Sequence, residues 1–68
     1  MRLSRNKVLL AMADVGFTQN ELADKAKISR TYISKLINGH TCTPVTVHKI
    51  AIALNVTPRD IVQNTEEN

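Results

Sequence analysis

Residues 18–39 have the sequence TQNELADKAKISRTYISKLING, which predicts two short helices joined by a tight turn. Thr18 is a favourable N-cap, and Glu21, three residues later, can close a capping box with it. Ser29 gives the second helix of the pair a similar start, and Gly39 gives it an end. Because each helix has its own start signal, the segment predicts a helix-turn-helix unit.

Three further helices are predicted outside this unit, and no segment has the alternating pattern of a strand. The first covers about residues 4–15 and stops at Gly16, which is free to adopt a positive φ. Another opens at Pro44, where a missing N–H costs no hydrogen bond, and the last and shortest opens at Pro58. The apolar positions expected to be buried in the two longer helices are Val8, Leu9, Met12, Val15, Val47, Ile50, Ala51 and Leu54.

The length limits the chain to one domain. Its 68 residues can bury one small core, and five short helices with short connections predict a compact all-α domain over residues 1–68, with the helix-turn-helix at about 18–38. The polar tail at about 63–68 is expected to fray. No apolar run approaches the roughly 18 residues of a membrane span, and no leader-like segment opens the chain, so we expect a soluble, cytoplasmic protein.

Positive charge is concentrated in the first part of the chain. Nine Lys and Arg against six Asp and Glu give a formal net charge of +3. Residues 1–40 contain seven basic and three acidic residues, giving +4, whereas residues 41–68 contain two and three, giving −1. This distribution favours an anionic partner for the first part, although +3 alone is ordinary for a soluble domain. The basic residues near the amino terminus are interpreted as a solvated helix face, with a backbone-binding arm as the alternative.

The second helix of the pair has one apolar and one polar face. On a helical wheel Leu36 and Ile37 flank Ile33 and define the buried face. The opposite face carries hydrogen-bond donors and two cations but no acid, on residues Arg30, Thr31, Ser34, Lys35 and Asn38. Tyr32 occupies the third helical position, where an acid would repel an anion, so the amino end is free to meet one. Packing of Tyr32 on a neighbouring helix explains the tyrosine equally well.

These segments resemble the Cro and phage-repressor family of helix-turn-helix proteins, also called Xre-like. The matching residues, spread over about residues 5–62, are Thr18-Gln19-x-x-Leu22-Ala23, Ile28-Ser29, Tyr32-Ile33-Ser34-Lys35-Leu36, Asn38-Gly39, Pro44 and Lys49-Ile50-Ala51-x-Ala53-Leu54-Asn55-Val56. The resemblance implies a five-helix, lambda-repressor-like DNA-binding domain whose third helix enters the major groove. It also implies a sequence-specific transcriptional regulator, and we expect a bacterial or phage repressor that acts by occupying its operator.

The resemblance further implies which residues meet double-stranded DNA. Gln19 would contact a phosphate or support the third helix, the residues of the third helix would meet base edges or backbone, and the loop after Gly39 would lie along phosphates. The DNA-binding residues implied in this way are Gln19, Ser29, Arg30, Thr31, Ser34, Lys35, Asn38 and His40. One departure is Lys27, which occupies a turn position where the family usually has glycine and where φ is often positive. Its side chain is a candidate for an additional phosphate contact.

A homodimer is expected, at least on DNA. One module reads few base pairs, so specificity implies two copies on a pseudo-palindromic operator, spaced about 34 Å apart. The candidate dimer contacts are Val56, Pro58, Ile61 and Val62. These apolar residues could equally complete the core.

Other functional classes fit the sequence less well. His40, Cys42 and His48 are too few for a metal site, and the single cysteine excludes an internal disulfide. No combination of nucleophile, base and acid is present. We therefore expect no enzymatic activity, cofactor, metal or small-molecule ligand.

Two alternatives to a repressor remain open. The same fold can serve as an antitoxin or another protein-interaction module, although the roughly six polar residues after the last helix are few for wrapping a partner. Within DNA binding, a restriction–modification controller protein is the alternative that the sequence does not separate from a phage or mobile-element regulator.

Overall fold

A computed structural model describes residues 1–63, which form four α-helices and one short 3-10 helix. The α-helices are α1 (Arg5–Val15), α2 (Gln19–Ala26), α3 (Arg30–Ile37) and α4 (Pro44–Leu54), and the 3-10 helix is Pro58–Asp60. The predicted all-α class is confirmed. Most of the predicted polar tail lies outside the described residues. Within residues 1–63, no helix is long and apolar enough to cross a membrane.

The helices begin where the sequence predicts their caps. Glu21 N–H donates to the Thr18 hydroxyl at 3.2 Å, and Thr18 N–H donates to Glu21 Oε1 at 2.8 Å, which completes the predicted capping box. Ser4, Ser29 and Thr43 cap the other three α-helices through their side-chain oxygens. Local signals in the sequence therefore set the start of every α-helix.

The fifth predicted helix is only a single 3-10 turn, so the prediction of five α-helices is wrong for the described part of the chain. Its start agrees with the prediction, because the backbone N–H and the hydroxyl of Thr57 both donate to Asp60 Oδ2 at 3.0 Å. These hydrogen bonds, the backbone one foremost, lower the pKa of the Asp60 carboxyl. The difference from the prediction lies in the residues that follow.

The residues after the 3-10 helix pair with the amino-terminal segment instead of continuing a helix. Ser4 N–H donates to the Ile61 carbonyl at 2.8 Å, and Gln63 N–H donates to the Arg2 carbonyl at 2.9 Å. Arg2 also forms an antiparallel bridge with Thr41, in the loop after α3. Up to residue 63 these bridges are isolated and form no strand, and such short extended segments leave no alternating pattern in the sequence.

The core is formed by one face of each α-helix together with the amino-terminal segment and Ile61. Its largest fully buried side chains are Leu3, Leu22, Ile33, Leu36, Ile50, Leu54, Ile61, Val8 and Val47. α2 packs against both α3 and α4, and the 3-10 helix packs against α4. Burying such apolar faces is the main force that holds a domain of this size together.

The predicted buried face of α1 is partly wrong. Val8, Ala11 and Met12 are buried, whereas Leu9 and Val15 are each 38% exposed. Leu9 lies about 100° from Val8 on the helical wheel, at the flank of the face, and Val15 is the last helical residue. Ala11, which was not among the predicted positions, completes the buried face.

The turn between α2 and α3 has the predicted left-handed backbone. Lys27 has φ 59° and ψ 43°, its N–H donates to the Asp24 carbonyl, and the N–H of Ile28 donates to the Ala23 carbonyl. Asn55 has the same φ and ψ at the end of α4. Asparagine tolerates this region better than lysine, whose Cβ crowds the following carbonyl at a cost of roughly 1 kcal/mol. Lys27 is therefore a strained position in the helix-turn-helix.

Replacing Lys27 by glycine is expected to stabilise the protein. Lys27→Gly should raise the free energy of unfolding by some tenths to about 1 kcal/mol, because relief of the φ strain exceeds the entropy that glycine adds to the unfolded chain. Urea denaturation of the variant and the parent measures the difference. Asn55→Gly, at the same backbone angles, is the matched control and should gain less. A less stable Lys27→Gly variant would mean that this turn has another conformation in solution.

Candidate nucleic-acid interface

α3 has the two faces that the sequence predicts. Ile33, Leu36 and Ile37 are buried and face the core, against which α2 also packs. The residues of the opposite face are Arg30, Thr31, Lys35 and Asn38, which are exposed, and Ser34, which is partly buried. The face presents donors and two cations to solvent, and it contains no carboxylate.

The amino end of α3 is capped but carries no acid. Ser29 accepts a hydrogen bond from Tyr32 N–H at 3.1 Å, which satisfies one of the donors at this end. The Tyr32 side chain is partly buried and packs against the core, so packing on neighbouring helices accounts for it. The absence of an acid from the first turn still leaves the positive end of the helix dipole uncompensated.

The carboxyl end of α3 is closed by its own backbone. The N–H groups of residues 38–40 all donate to carbonyls of the last helical turn at 3.1 Å, and Gly39, at φ 103°, reverses the chain. His40 Nδ1 lies 3.1 Å from the Lys35 carbonyl oxygen. Since the backbone donors are used within the cap, an anion at this end of α3 has to be bound by side chains.

Two other residues implied in DNA binding lie at the surface. Gln19 is the first residue of α2 and is partly buried, and the exposed His40 follows the end of α3. The turn residue Lys27 is also exposed. All three belong to elements or turns that adjoin α3 in the chain.

The candidate dimer contacts differ in burial, since some belong to the core and others lie at the surface. Ile61 is fully buried and belongs to the core, so it is not available for a dimer contact. Val56 and Val62 are partly buried and pack against the core, and Pro58 is exposed. Ile61 is buried because its backbone is held by Ser4, which turns the end of the chain back onto the helices.

The metal-binding alternative gains no support. In the described part of the chain no group of three or more His, Cys, Asp or Glu side chains could hold a metal ion.

Cys42 is buried, and burial raises the pKa of its thiol. Its N–H donates to the Met1 carbonyl at 2.7 Å, as part of the pairing between the amino-terminal segment and the loop after α3.

Sequence reasoning missed one residue next to this face. Arg5 is the first residue of α1, and its Nη1 donates to Asn38 Oδ1 at 3.1 Å, across 33 positions of the chain. The sequence left the basic residues near the amino terminus open between a solvated helix face and a backbone-binding arm, and the structure places the exposed Arg5 beside the carboxyl end of α3. No local pattern in the sequence connects two residues so far apart.

Comparisons with known proteins agree with this architecture. A family model described as helix-turn-helix matches residues 9–61, which is most of the chain. A solved structure of a hydroxyethylphosphonate dioxygenase point mutant is similar to 96% of this chain with a TM-score of 0.83, at 23% sequence identity. This chain spans only 14% of the length of that enzyme, so the likeness concerns the fold. No curated protein matches the chain. With a helix-turn-helix model matching residues 9–61, the chain belongs to the Cro/C1-type, or Xre-like, family of helix-turn-helix DNA-binding proteins.

Proposed function

We propose that the protein is a sequence-specific transcriptional regulator, a repressor that acts by occupying an operator in double-stranded DNA. The observation that carries this proposal is the exposed, acid-free face of α3, opposite the buried Ile33. An α-helix with its side chains fits the major groove of B-DNA, which is about 12 Å wide and shows a distinct donor and acceptor pattern for each base pair. The family supports DNA as the ligand.

The side chains of α3 suit different parts of this task. Arg30 and Lys35 can donate to O6 and N7 of guanine, and Thr31 and Ser34 can donate to or accept from base edges or phosphates. The residues proposed to position the protein on the backbone are Gln19, Ser29, Asn38 and His40. Direct reading of bases is therefore assigned to exposed side chains within α3, and positioning to Gln19 of α2 and to the residues that flank α3.

Two copies are proposed to bind one pseudo-palindromic operator. A single α3 reaches few base pairs, and a two-fold pair with half-sites about 34 Å apart supplies the missing specificity. Because Ile61 belongs to the core, the proposed dimer surface reduces to Pro58 with the partly buried Val56 and Val62. In this proposal the protein is encoded by a bacterium or phage and has no catalytic activity, cofactor or small-molecule ligand.

Salt dependence tests whether DNA is the ligand. If several cations of the interface neutralise phosphates, log affinity for a duplex of about 20 base pairs should fall linearly with log salt, with a slope near −0.9 for each phosphate. Fluorescence anisotropy titrations at salt concentrations between about 50 and 200 mM measure this slope. A flat dependence over that range would count against DNA as the main ligand.

A charge-matched control shows whether the slope comes from the proposed interface. Arg59 is exposed and lies in the 3-10 helix, which packs against α4. Arg59→Ala removes one positive charge, as Lys35→Ala does, and should leave the slope close to that of the parent. An equal change in both variants would mean that net charge, and not α3, determines the affinity.

A further inference from the structure

We propose that Arg5 and Asn38 together bind one phosphate group of the DNA backbone, at the carboxyl end of α3. The inference rests on the proposed function and adds a residue of α1 to the interface. The supporting observation is a hydrogen bond between two exposed side chains, in which Arg5 Nη1 donates to Asn38 Oδ1 at a distance of 3.1 Å.

The hydrogen bond fixes which groups of the pair remain for a ligand. A guanidinium has five N–H donors and no acceptor, so the carboxamide of Asn38 must turn its oxygen toward Arg5. Its NH2 group then faces away from Arg5 and keeps its two donors. With only one guanidinium donor used in this bond, the pair presents several N–H groups and a positive charge. This combination suits an oxyanion, and arginine binds phosphate through two parallel charge-assisted hydrogen bonds.

The two stretches of sequence that contain Arg5 and Asn38 carry no acid of their own. Residues 1–13, which include the start of α1, contain no Asp or Glu, and neither do residues 25–59, which include all of α3 and α4. The backbone N–H groups of residues 38–40 are already bound within the helix cap. A phosphate passing the end of α3 would therefore meet side-chain donors, among them the guanidinium of Arg5, which is hydrogen-bonded to Asn38.

The backbone of Arg5 is held in place relative to the core. Ser4, which precedes it, caps α1 through its hydroxyl, and its N–H donates to the Ile61 carbonyl at 2.8 Å. Leu3 is almost fully buried, at 1% exposure. The first turn of α1 is therefore fixed against the domain, and less backbone conformational entropy is lost when Arg5 binds a ligand than would be lost by a residue of a free arm.

Four variants of the pair test the proposal in salt titrations on the same duplex. Arg5→Ala and Arg5→Gln should each lower affinity about tenfold near 0.1 M salt and reduce the slope by about 0.9, because one neutralised phosphate is lost. Arg5→Lys should keep the slope, because it keeps the charge. Asn38→Ala should lower affinity while the slope stays, since asparagine carries no charge. Arg59→Ala, with the same loss of charge, is the control.

The outcomes separate this inference from the proposed function. A steep slope for the parent with an unchanged slope for Arg5→Ala and Arg5→Gln would overturn phosphate binding by Arg5 and leave DNA binding intact. A flat slope for the parent would overturn both. Melting curves identify any unfolded variant, and if Arg5→Ala is destabilised, the comparison of Arg5→Gln with Arg5→Lys decides, because both side chains can still donate to Asn38 and only one is charged.

Discussion

Ile33→Ala is expected to lower the free energy of unfolding by about 2–5 kcal/mol, the usual cost of the cavity left by a large aliphatic side chain in a core. Ile33 is 1% exposed and belongs to the face of α3 that packs inward. In a domain this small such a loss is a large share of the total stability. Urea denaturation measures it, with the folded fraction followed by circular dichroism.

Thr31→Ala provides the control on the same helix. Thr31 is exposed on the opposite face of α3, so its truncation should change the free energy of unfolding by no more than about 0.5 kcal/mol. A comparable loss for both variants, or a loss well under 1 kcal/mol for Ile33→Ala, would contradict the orientation of α3 described above.

Arg30→Ala and Lys35→Ala are expected to weaken DNA binding without loss of folding stability, the reverse of Ile33→Ala. Both side chains are exposed, so the melting temperature of each variant should remain close to that of the parent. Binding to a specific duplex should weaken by about 1–3 kcal/mol for each lost base contact, and the preference at one or two base positions should relax. Titrations on the preferred duplex and on a scrambled duplex of equal length separate the two effects.

A difference between the two duplexes identifies the kind of contact that is lost. Weaker binding to the preferred duplex alone indicates a lost base contact, whereas equal weakening on both duplexes indicates a lost phosphate contact. If Arg30→Ala and Lys35→Ala both bound the preferred duplex as tightly as the parent, α3 would not be the reading element.

The features that the sequence predicted well are local ones. The capping box of Thr18 and Glu21 depends on residues within a few positions of one another. The positive φ at Lys27 was expected from the resemblance to a family that usually has glycine there. The buried face of α3 follows from the spacing of Ile33, Leu36 and Ile37, because one helical period determines which side chains share a face. These signals were sufficient to place α3 and its exposed face.

The features that the sequence could not predict depend on distant pairings. The chain after the 3-10 helix is extended because Ile61 and Gln63 pair with the amino-terminal segment, whose residues are far away in the sequence. The same is true of the hydrogen bond between Arg5 and Asn38. A single sequence contains no periodic or capping signal for such contacts, so the sequence left Ile61 open between the core and a dimer surface, and only the structure places Ile61 in the core and Arg5 beside Asn38.

Selection of bound DNA from a random pool of duplexes tests sequence-specific DNA binding most directly. The parent protein is incubated with the pool, and the bound fraction is sequenced after several rounds. We expect enrichment of an inverted repeat whose half-sites lie about 10 base pairs apart, or about 34 Å from centre to centre. The enriched sequence should be lost when the selection is repeated with the double variant of Arg30→Ala and Lys35→Ala. Absence of any enriched sequence with the parent would contradict a sequence-specific regulator and would favour a protein-interaction module with the same fold.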